Sequence, residues 1–375
     1  MHRVGITGQS GFIGSHLYNT LSLYPDEIEL VKFERSYFEN SMQLKEFVDQ
    51  CDTIVHLAAL NRHENPGEIY NTNIKLIDKL IHALEEAKFK KRVIFSSSIQ
   101  EQRDNPYGRS KHIGRKMLAE WAQNNDAEFS GLLIPNVFGP FGLPYYNSVV
   151  ATFAFQLTHN EVPRIDRDAE LKLIYVGELI EEILLRINHS GRFEKIERKE
   201  IAHTNISKVS GLLDILERFK SEYFEKGVIP ELSNRFEVNL FNTFRSFIDY
   251  GTHFPVTYTR HSDERGSFVE TIRLHGGGQV SFSTTIPGIT RGNHFHTRKI
   301  ERFAVIKGRA LIEMRKIGSN EILSFEICGD KPGYVDMPIW YTHNITNIGN
   351  EELYTLFWIN EFYDPEDADT FYKDV

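Results

Sequence analysis

The chain has 375 residues, 41% of them hydrophobic and 25% charged, with a formal net charge of -9 at pH 7. That length allows two domains with separate cores. The acidic balance gives no footprint for nucleic acid or for an anionic membrane surface, and no apolar run reaches the length of a membrane span.

Met1-His2-Arg3-Val4 runs straight into an apolar stretch and reads as the start of a strand rather than as a secretory leader. Cys51 and Cys328 lie far apart and match no metal or redox spacing, so they read as reduced thiols of a cytoplasmic protein. Residues 2–7 predict a buried strand. Gly8-Gln9-Ser10-Gly11-Phe12-Ile13-Gly14-Ser15 then predicts a turn into a helix that continues through Leu17 and Leu21. Glycine at 8, 11 and 14 lets the backbone turn sharply and approach a pyrophosphate, with the free N–H groups of the helix facing the anion. Gly8, Gly11, Phe12, Ile13 and Gly14 are therefore candidate cofactor contacts.

Residues 28–33 predict a second strand, ending at Glu34-Arg35-Ser36. In a dinucleotide fold that end faces the adenosine ribose, where an acidic residue favours a free 2′-hydroxyl and an arginine accommodates a 2′-phosphate. Both types are present, and Arg35 tips the reading towards NADP. Residues 52–59 predict a buried strand that ends in small side chains, so that a cofactor can lie across Leu57, Ala58 and Ala59. Residues 69–84 predict an amphipathic helix with Ile74, Ile77, Leu80, Ile81 and Leu84 on one face and Asn73 interrupting its start. A further strand over residues 92–95 leads into Ser96-Ser97-Ser98, followed by Tyr107-Gly108-Arg109-Ser110-Lys111. On a helix, Tyr107 and Lys111 share a face. An ammonium beside a phenol lowers its pKa, so the tyrosine can pass a proton near neutral pH while a serine hydroxyl holds a substrate carbonyl.

The glycine turn, Asp52 with His56-Leu57-Ala58-Ala59, the three serines and the Tyr107/Lys111 pair together resemble the extended short-chain dehydrogenases/reductases, over about residues 1–245. The resemblance implies a Rossmann-type α/β fold, a doubly wound parallel sheet, with NADPH as cofactor and nucleotide sugars as substrates. It also implies Asp52 among the cofactor contacts, Tyr107 as general acid, Lys111 as its tuner and ribose contact, and Ser98 or Ser97 as the carbonyl donor. Asn136-Val137-Phe138-Gly139-Pro140 resembles the family's segment near the substrate, which makes Asn136 a substrate contact; Tyr175-Val176 resembles a later landmark. The interval between the serines and Tyr107 is shorter than the family's, and Pro135 replaces its usual arginine.

Residues 194–200 are charge-rich and read as a solvated loop or edge. Leu212, Ile215, Leu216 and Phe219 fall at helical spacing, as do Phe236, Leu240, Phe244 and Phe247, and both sets read as core faces of helices that close the first domain. Gly251 and Pro255 punctuate the chain, which places the two domains at residues 1–248 and 249–375.

Beyond Gly251, short β-branched and aromatic segments alternate with glycine and proline turns, the pattern of an antiparallel barrel or sandwich. His294 and His296, two apart on a strand, converge on one side. Glu301 and His343 complete a nitrogen–oxygen set suited to zinc or a similar divalent ion. The two stretches resemble both cupin motifs, with Trp340 where cupins usually carry glycine, and imply an all-β cupin (jelly-roll) domain. Residues 263–270 and 291–294 resemble segments of the sugar-nucleotide 3-epimerases built on that fold. Arg265, Glu270 and Arg291 are thereby substrate contacts, and His294 aligns with the proton-abstracting base. A histidine bound to metal through one nitrogen is poorly placed to take a proton with it. With His296, Glu301 and His343 completing a set, His294 reads as a ligand, and the base stays open among Tyr341, Lys307 and Glu270.

The order of the two domains resembles capsular polysaccharide enzymes along nearly the whole chain. It implies C3 inversion of a UDP-2-acetamido-2,6-dideoxy-4-ketohexose in the second domain and NADPH-dependent C4 reduction in the first, towards UDP-N-acetyl-L-fucosamine. Both parent families commonly dimerise, so a homodimer is expected. The alternative is a single-function 4-ketoreductase whose second domain only binds ligand or drives dimerisation.

Overall fold

The computed structural model describes residues 1–188 and 193–375. By density of contacts the chain forms two compact units, residues 1–152 with 167–209 and residues 153–166 with 210–375. No described helix is long and apolar enough to cross a membrane.

In the first unit the chain alternates β1 (His2–Thr7), α1 (Phe12–Leu21), β2 (Ile28–Val31), α2 (Ser41–Gln50), β3 (Thr53–His56), α3 (Pro66–Glu86), β4 (Arg92–Ser98), α4 (Pro106–Asn124) and β5 (Glu128–Ile134). There follow β6 (Asn136–Phe138), α5 (Val149–Thr158, counted with the second unit from Phe153), β7 (Glu170–Tyr175), α6 (Val176–Asn188), β8 (Ile196–Glu200) and β9 (Asn205–Lys208). Among the described residues, six strands pair in parallel in the order β2-β1-β3-β4-β5-β8, and β6, β7 and β9 form a small second sheet. This is the expected Rossmann-like sheet. The order reverses at β1, with β2 on one side and β3 on the other. A crevice therefore opens beyond the carboxyl ends of β1 and β3.

The core explains the local departures from the sequence reading. The second strand stops at Val31, because Phe33 turns inward and packs edge-on against Phe38 and Phe47 at 5.4 and 4.9 Å. Helix α3 begins with Pro66 at its first turn and Asn65 capping the Gly67 N–H at 3.0 Å. Its buried stripe is Ile69, Asn73, Ile77, Leu80 and Leu84. Asn73 thus belongs to the packed face instead of interrupting it. The charged stretch near residue 197 is the edge strand β8, paired with β5.

The second unit contains α7 (Val209–Phe219) from Ser210 onward, α8 (Arg235–Arg245), α9 (Tyr250–His253) and an all-antiparallel β region. Its strands are β10 (Val256–Thr257), β11 (Arg260–Asp263), β12 (Gly266–Val269), β13 (Gln279–Thr285), β14 (Thr290–Phe295) and β15 (Glu301–Lys307). They continue with β16 (Arg309–Lys316), β17 (Ile322–Cys328), β18 (Gly333–Met337), β19 (Tyr341–Asn347), β20 (Leu353–Ile359) and β21 (Phe371–Tyr372). The sheets run β10-β18-β15-β20-β13 and β17-β16-β19-β14-β21, with β11 and β12 as a separate hairpin. This architecture is consistent with a cupin-like domain.

The helices over residues 210–245 correct one expectation: they pack with the β region rather than closing the first domain. Asn242 donates to the Arg298 carbonyl at 3.0 Å and Arg245 to the Met337 carbonyl at 2.9 Å. The buried Arg302–Asp336 pair, bidentate at 2.7 and 2.9 Å, receives the Tyr223 hydroxyl at 2.7 Å. A buried ion pair is tolerated only when its remaining polar atoms are satisfied, and these helices supply the partners.

Candidate functional sites

The glycine turn is built as its sequence requires. Gly8 sits at φ +79°, and a Cβ there would meet the Ala58 backbone nitrogen at 2.8 Å. A Cβ on Gly14 would lie 2.1 Å from the Gly8 carbonyl oxygen, so turn and helix touch backbone to backbone. Helix α1 has no side-chain cap and no acidic residue in its first turn, which leaves its N–H groups for an anion. The Leu57 N–H donates to the Thr7 carbonyl at 3.1 Å, which holds the Leu57–Ala58–Ala59 tip against the turn. Phe12 and Ile13 open α1, and Gln9 ties the turn to the Phe33 carbonyl at 2.9 Å. Arg35 is exposed at the tip of β2, while Glu34 beside it is held by Lys32 at 2.6 Å. These residues lie together at the strand-order reversal and could hold a dinucleotide.

Asp52 does not join them. It precedes β3 and lies at the amino end of that strand, where Arg3 and Lys91 hold it at 3.2 and 2.5 Å. The cradle lies at the carboxyl end, so the expected cofactor contact is corrected to a structural ion-pair centre.

Tyr107 and Lys111 do share a face of α4, whose first turn is set by Asn105 capping the Gly108 N–H at 2.7 Å. The Lys111 ammonium lies 5.7 Å from the Tyr107 ring centroid and donates to the Ser96 carbonyl at 2.7 Å. Burial pulls its pKa down to about 7. Burial pushes the Tyr107 phenol up to about 12, with nearby Tyr146 adding to the shift. The expectation of a phenol acidified by lysine is therefore corrected, because in this arrangement desolvation of the ring outweighs a lysine turned to a carbonyl. The serines divide by strand alternation. Ser97 donates to Glu101, whereas among the described residues Ser98 accepts from the Gln100 N–H at 3.2 Å and donates to none. Asn136 stands just past the carboxyl end of β5, exposed, and donates to the Lys172 carbonyl at 3.1 Å.

Three supports escaped the sequence reading. Arg115 grips Glu101 through two bonds of 2.8 and 2.9 Å and locks α4 to the turn after β4. Burial opposes ionisation of Glu101, yet bonds from Arg115, Ser97 and His112 hold its carboxyl below the usual range. Asn73 donates to Ser110 at 3.0 Å and accepts from the Leu60 N–H at 2.7 Å, joining α3, α4 and the loop after β3. His56 accepts or donates at Thr7 Oγ1 over 2.7 Å, and burial drops its pKa to about 3. Glu101 and Arg115, fourteen residues apart, carry no spacing signal in the sequence.

In the second unit the structure brings together His294, His296, Glu301 and His343, with one donor atom from each within 4.8 Å of the others. Glu301 Oε2 lies 3.0 Å from His296 Nε2, 3.1 Å from His343 Nε2 and 3.8 Å from His294 Nε2. The register pairs His294 with His343 across β14 and β19, with a bulge at Asn293, φ +59°. His296 and His343 direct Nδ1 to the carbonyls of Asp369 and Tyr341 at 2.5 and 3.0 Å, which frees both Nε2 atoms for the cluster. His294 makes no such bond among the described residues and is the most exposed of the three. Burial opposes the charge on Glu301, yet the three imidazoles hold its carboxyl well below the ordinary range. Trp340 takes φ +62°, the left-handed region that glycine favours, and is held by its N–H to the His296 carbonyl at 2.8 Å and by stacking on Phe295 at 5.7 Å.

The remaining candidates lie on the β11–β12 hairpin and on strands of the two sheets. Arg265 is at the tip of the β11–β12 hairpin, exposed and paired with Asp263 at 2.6 Å, and Glu270 is exposed just after β12. Arg291 lies on β14 and donates to Thr285 Oγ1 and the Thr284 carbonyl, each at 3.0 Å. Lys307 is engaged by Glu351 at 3.5 Å, and the Tyr341 ring stacks on Tyr250 at 6.0 Å.

Comparison with known proteins follows this two-part layout. Residues 4–201 match the family model described as NAD dependent epimerase/dehydratase family, and residues 261–371 match the polysaccharide biosynthesis C-terminal domain. The chain is 32% identical over 373 residues to UDP-2-acetamido-2,6-beta-L-arabino-hexul-4-ose reductase of Pseudomonas aeruginosa, covering 98% of each chain. The crystal structure of the capsular polysaccharide assembling protein CapF from Staphylococcus aureus matches with a TM-score of 0.63 at 33% identity, over 100% of both chains. A shorter likeness, 26% over 120 residues, joins 29% of this chain to 80% of the spore coat polysaccharide biosynthesis protein SpsL of Bacillus subtilis.

Proposed function

The chain belongs to the NAD dependent epimerase/dehydratase family, and we propose that it is a bifunctional nucleotide-sugar enzyme acting on a UDP-2-acetamido-2,6-dideoxy-4-ketohexose. The β region inverts C3, and the first unit then reduces the C4 ketone with NADPH, towards UDP-N-acetyl-L-fucosamine for a surface polysaccharide. The observation that carries this reading is the presence in one chain of two built sites, a Tyr107/Lys111 helix beside a dinucleotide cradle and a His/His/Glu/His cluster. The 32% identity to a UDP-sugar 4-ketoreductase along the whole chain supports the substrate class.

Within the first unit, the dinucleotide supplies a hydride when bound. Tyr107 gives its proton to the C4 oxygen as the hydride arrives, and Ser98 holds that oxygen by hydrogen bonding. Lys111 contacts the ribose. NADPH is favoured over NADH because Arg35, exposed beyond β2, can meet a 2′-phosphate.

In the β region, the C4 ketone acidifies the hydrogen on C3, and stabilising the enolate oxygen is the main electrostatic task. The cluster fits a divalent ion, most naturally zinc. Tetrahedral zinc with ligand bonds of ~2.1 Å places its donors about 3.4 Å apart, and the distances from Glu301 bracket that spacing. His294, His296, Glu301 and His343 would hold the ion, which would polarise an oxygen or keep the pocket in shape. Arg265 and Arg291 are the substrate-binding cations. A second reading makes His294 the base, favoured by its exposure and by the lack of a carbonyl anchor among the described residues; His294→Ala would then abolish C3 exchange while zinc stays bound. The enzyme is further proposed to be a cytoplasmic homodimer.

The direct test is NADPH consumption at 340 nm with the UDP-linked 4-keto sugar, which Tyr107→Phe should lower by about 10²–10⁴. Turnover in that variant at the wild-type rate would remove the first unit's assigned chemistry.

A further inference from the structure

The run from His296 to Glu301 carries two of the four cluster residues, and the turn between them has three successive backbone N–H groups pointing one way. A single carboxylate meets all three. Asp369 Oδ1 accepts from the Thr297 N–H at 3.0 Å and from the Thr297 hydroxyl at 2.6 Å. Its Oδ2 accepts from the Arg298 and Lys299 N–H groups at 3.0 and 2.9 Å. The main-chain carbonyl of the same residue receives His296 Nδ1 at 2.5 Å. Asp369 is buried and sits at φ +43°, a conformation in which aspartate and asparagine are the best tolerated non-glycine residues.

The flanking segment is fastened on both sides. Lys299 Nζ donates to the Ala368 carbonyl at 2.6 Å, and Arg298 pairs with Asp367 at 2.9 Å. Strand β21 pairs with β14, placing Tyr372 opposite His294 and Phe371 opposite Phe295. The last stretch of the chain thus touches His294 through the backbone, His296 through a carbonyl, and the loop before Glu301 through a carboxylate.

We propose that Asp369 is a positioning residue of the cluster: it fixes the His296 ring with Nε2 facing the other donors and sets the turn that delivers Glu301. The proposal rests on the metal reading above for its consequence, and on hydrogen bonding alone for its geometry. Both carboxylate oxygens accept twice, which only an acceptor-only group can do. Asparagine keeps the left-handed backbone but turns an NH₂ group towards one pair of N–H donors, so Asp369→Asn separates the carboxylate from the backbone conformation. Outer partners of metal ligands are worth about 10–100-fold in metal affinity.

The experiment uses the full chain. Zinc affinity is measured by chelator competition, and the His296 tautomer by ¹⁵N NMR of histidine-labelled, metal-free protein. The wild type should show His296 protonated at Nδ1, and Asp369→Asn should bind zinc at least tenfold more weakly and lose that single tautomer. Asp369→Ala should do the same if it folds. Tyr223→Phe, which removes a buried bond to Asp336, serves as the stability control and should leave zinc affinity within twofold. Wild-type affinity in Asp369→Asn, or an equal loss in Tyr223→Phe, overturns the proposal. If the wild type binds no zinc, the metal reading fails, and the tautomer decides: a change in Asp369→Asn upholds the positioning role, and an unchanged ring refutes it.

Discussion

Replacing Gly14 by alanine tests the cradle at its tightest point. The added Cβ would lie 2.1 Å from the Gly8 carbonyl oxygen, an atom already bonded to the Gly11 N–H at 3.0 Å. Ordinary contact needs more than 3 Å, so the turn or helix α1 must shift by about 1 Å, and backbone on both sides makes that shift costly. Overpacking of this kind costs about 1–3 kcal/mol. Charged entirely to the dinucleotide-competent turn, it weakens binding by about 5- to 150-fold. Gly11 provides the internal control: its φ is negative and a Cβ there would stand 3.2 Å from the same oxygen, so Gly11→Ala should cost less than tenfold. The assay is NADPH titration by fluorescence, with thermal melts of the free proteins alongside. Equal affinities for Gly14→Ala and the wild type, or a larger loss in Gly11→Ala, would show that the close approach of α1 to Gly8 does not govern dinucleotide binding.

Tyr107→Phe should lower NADPH oxidation by about 10²–10⁴ while C3 exchange, measured by NMR, continues. Loss of both activities would break the assigned division of labour. Glu101 is held below its unfolded pKa, so its contribution to stability is complete above about pH 4.5 and disappears as pH falls through the folded value. Glu101→Gln should accordingly flatten the fall in melting temperature between about pH 5 and pH 3, and parallel wild-type and variant curves would exclude the pair as an acid-sensitive tie. Dialysis against a chelator should remove close to one zinc per chain together with C3 exchange, leaving NADPH binding in place; full exchange by folded, metal-free protein would contradict a catalytic ion.

What the sequence made legible was local and periodic. Gly8, Gly11 and Gly14 lie within one turn, Tyr107 and Lys111 one helical turn apart, and His294 and His296 two residues apart on a strand, so each geometry follows from spacing alone. Long-range pairings were legible only through chemistry, as with Glu301 and His343. Glu101 with Arg115, and Asp369 with the turn at residues 297–299, carry no spacing signal. Asp52 shows the limit in another form. The family resemblance grouped Asp52 with His56 and Leu57, but a strand separates its two ends, and Asp52 lies at the amino end, away from the glycine turn. Helical periodicity near Leu216 and Leu240 correctly marked buried faces, though a period states that a face is covered and not by what. Trp340 kept a glycine-like φ because Phe295 and the His296 carbonyl hold it there.

The central claim is that one chain first inverts C3 and then reduces C4. Incubating the enzyme with the UDP-linked 2-acetamido-2,6-dideoxy-4-keto sugar in deuterated water, with and without NADPH, tests it in one experiment. The enzyme should place deuterium at C3 without NADPH, and with NADPH yield a C4 alcohol that carries deuterium at an inverted C3. Reduction to a product with its original C3 configuration and no deuterium would establish a single-function reductase instead.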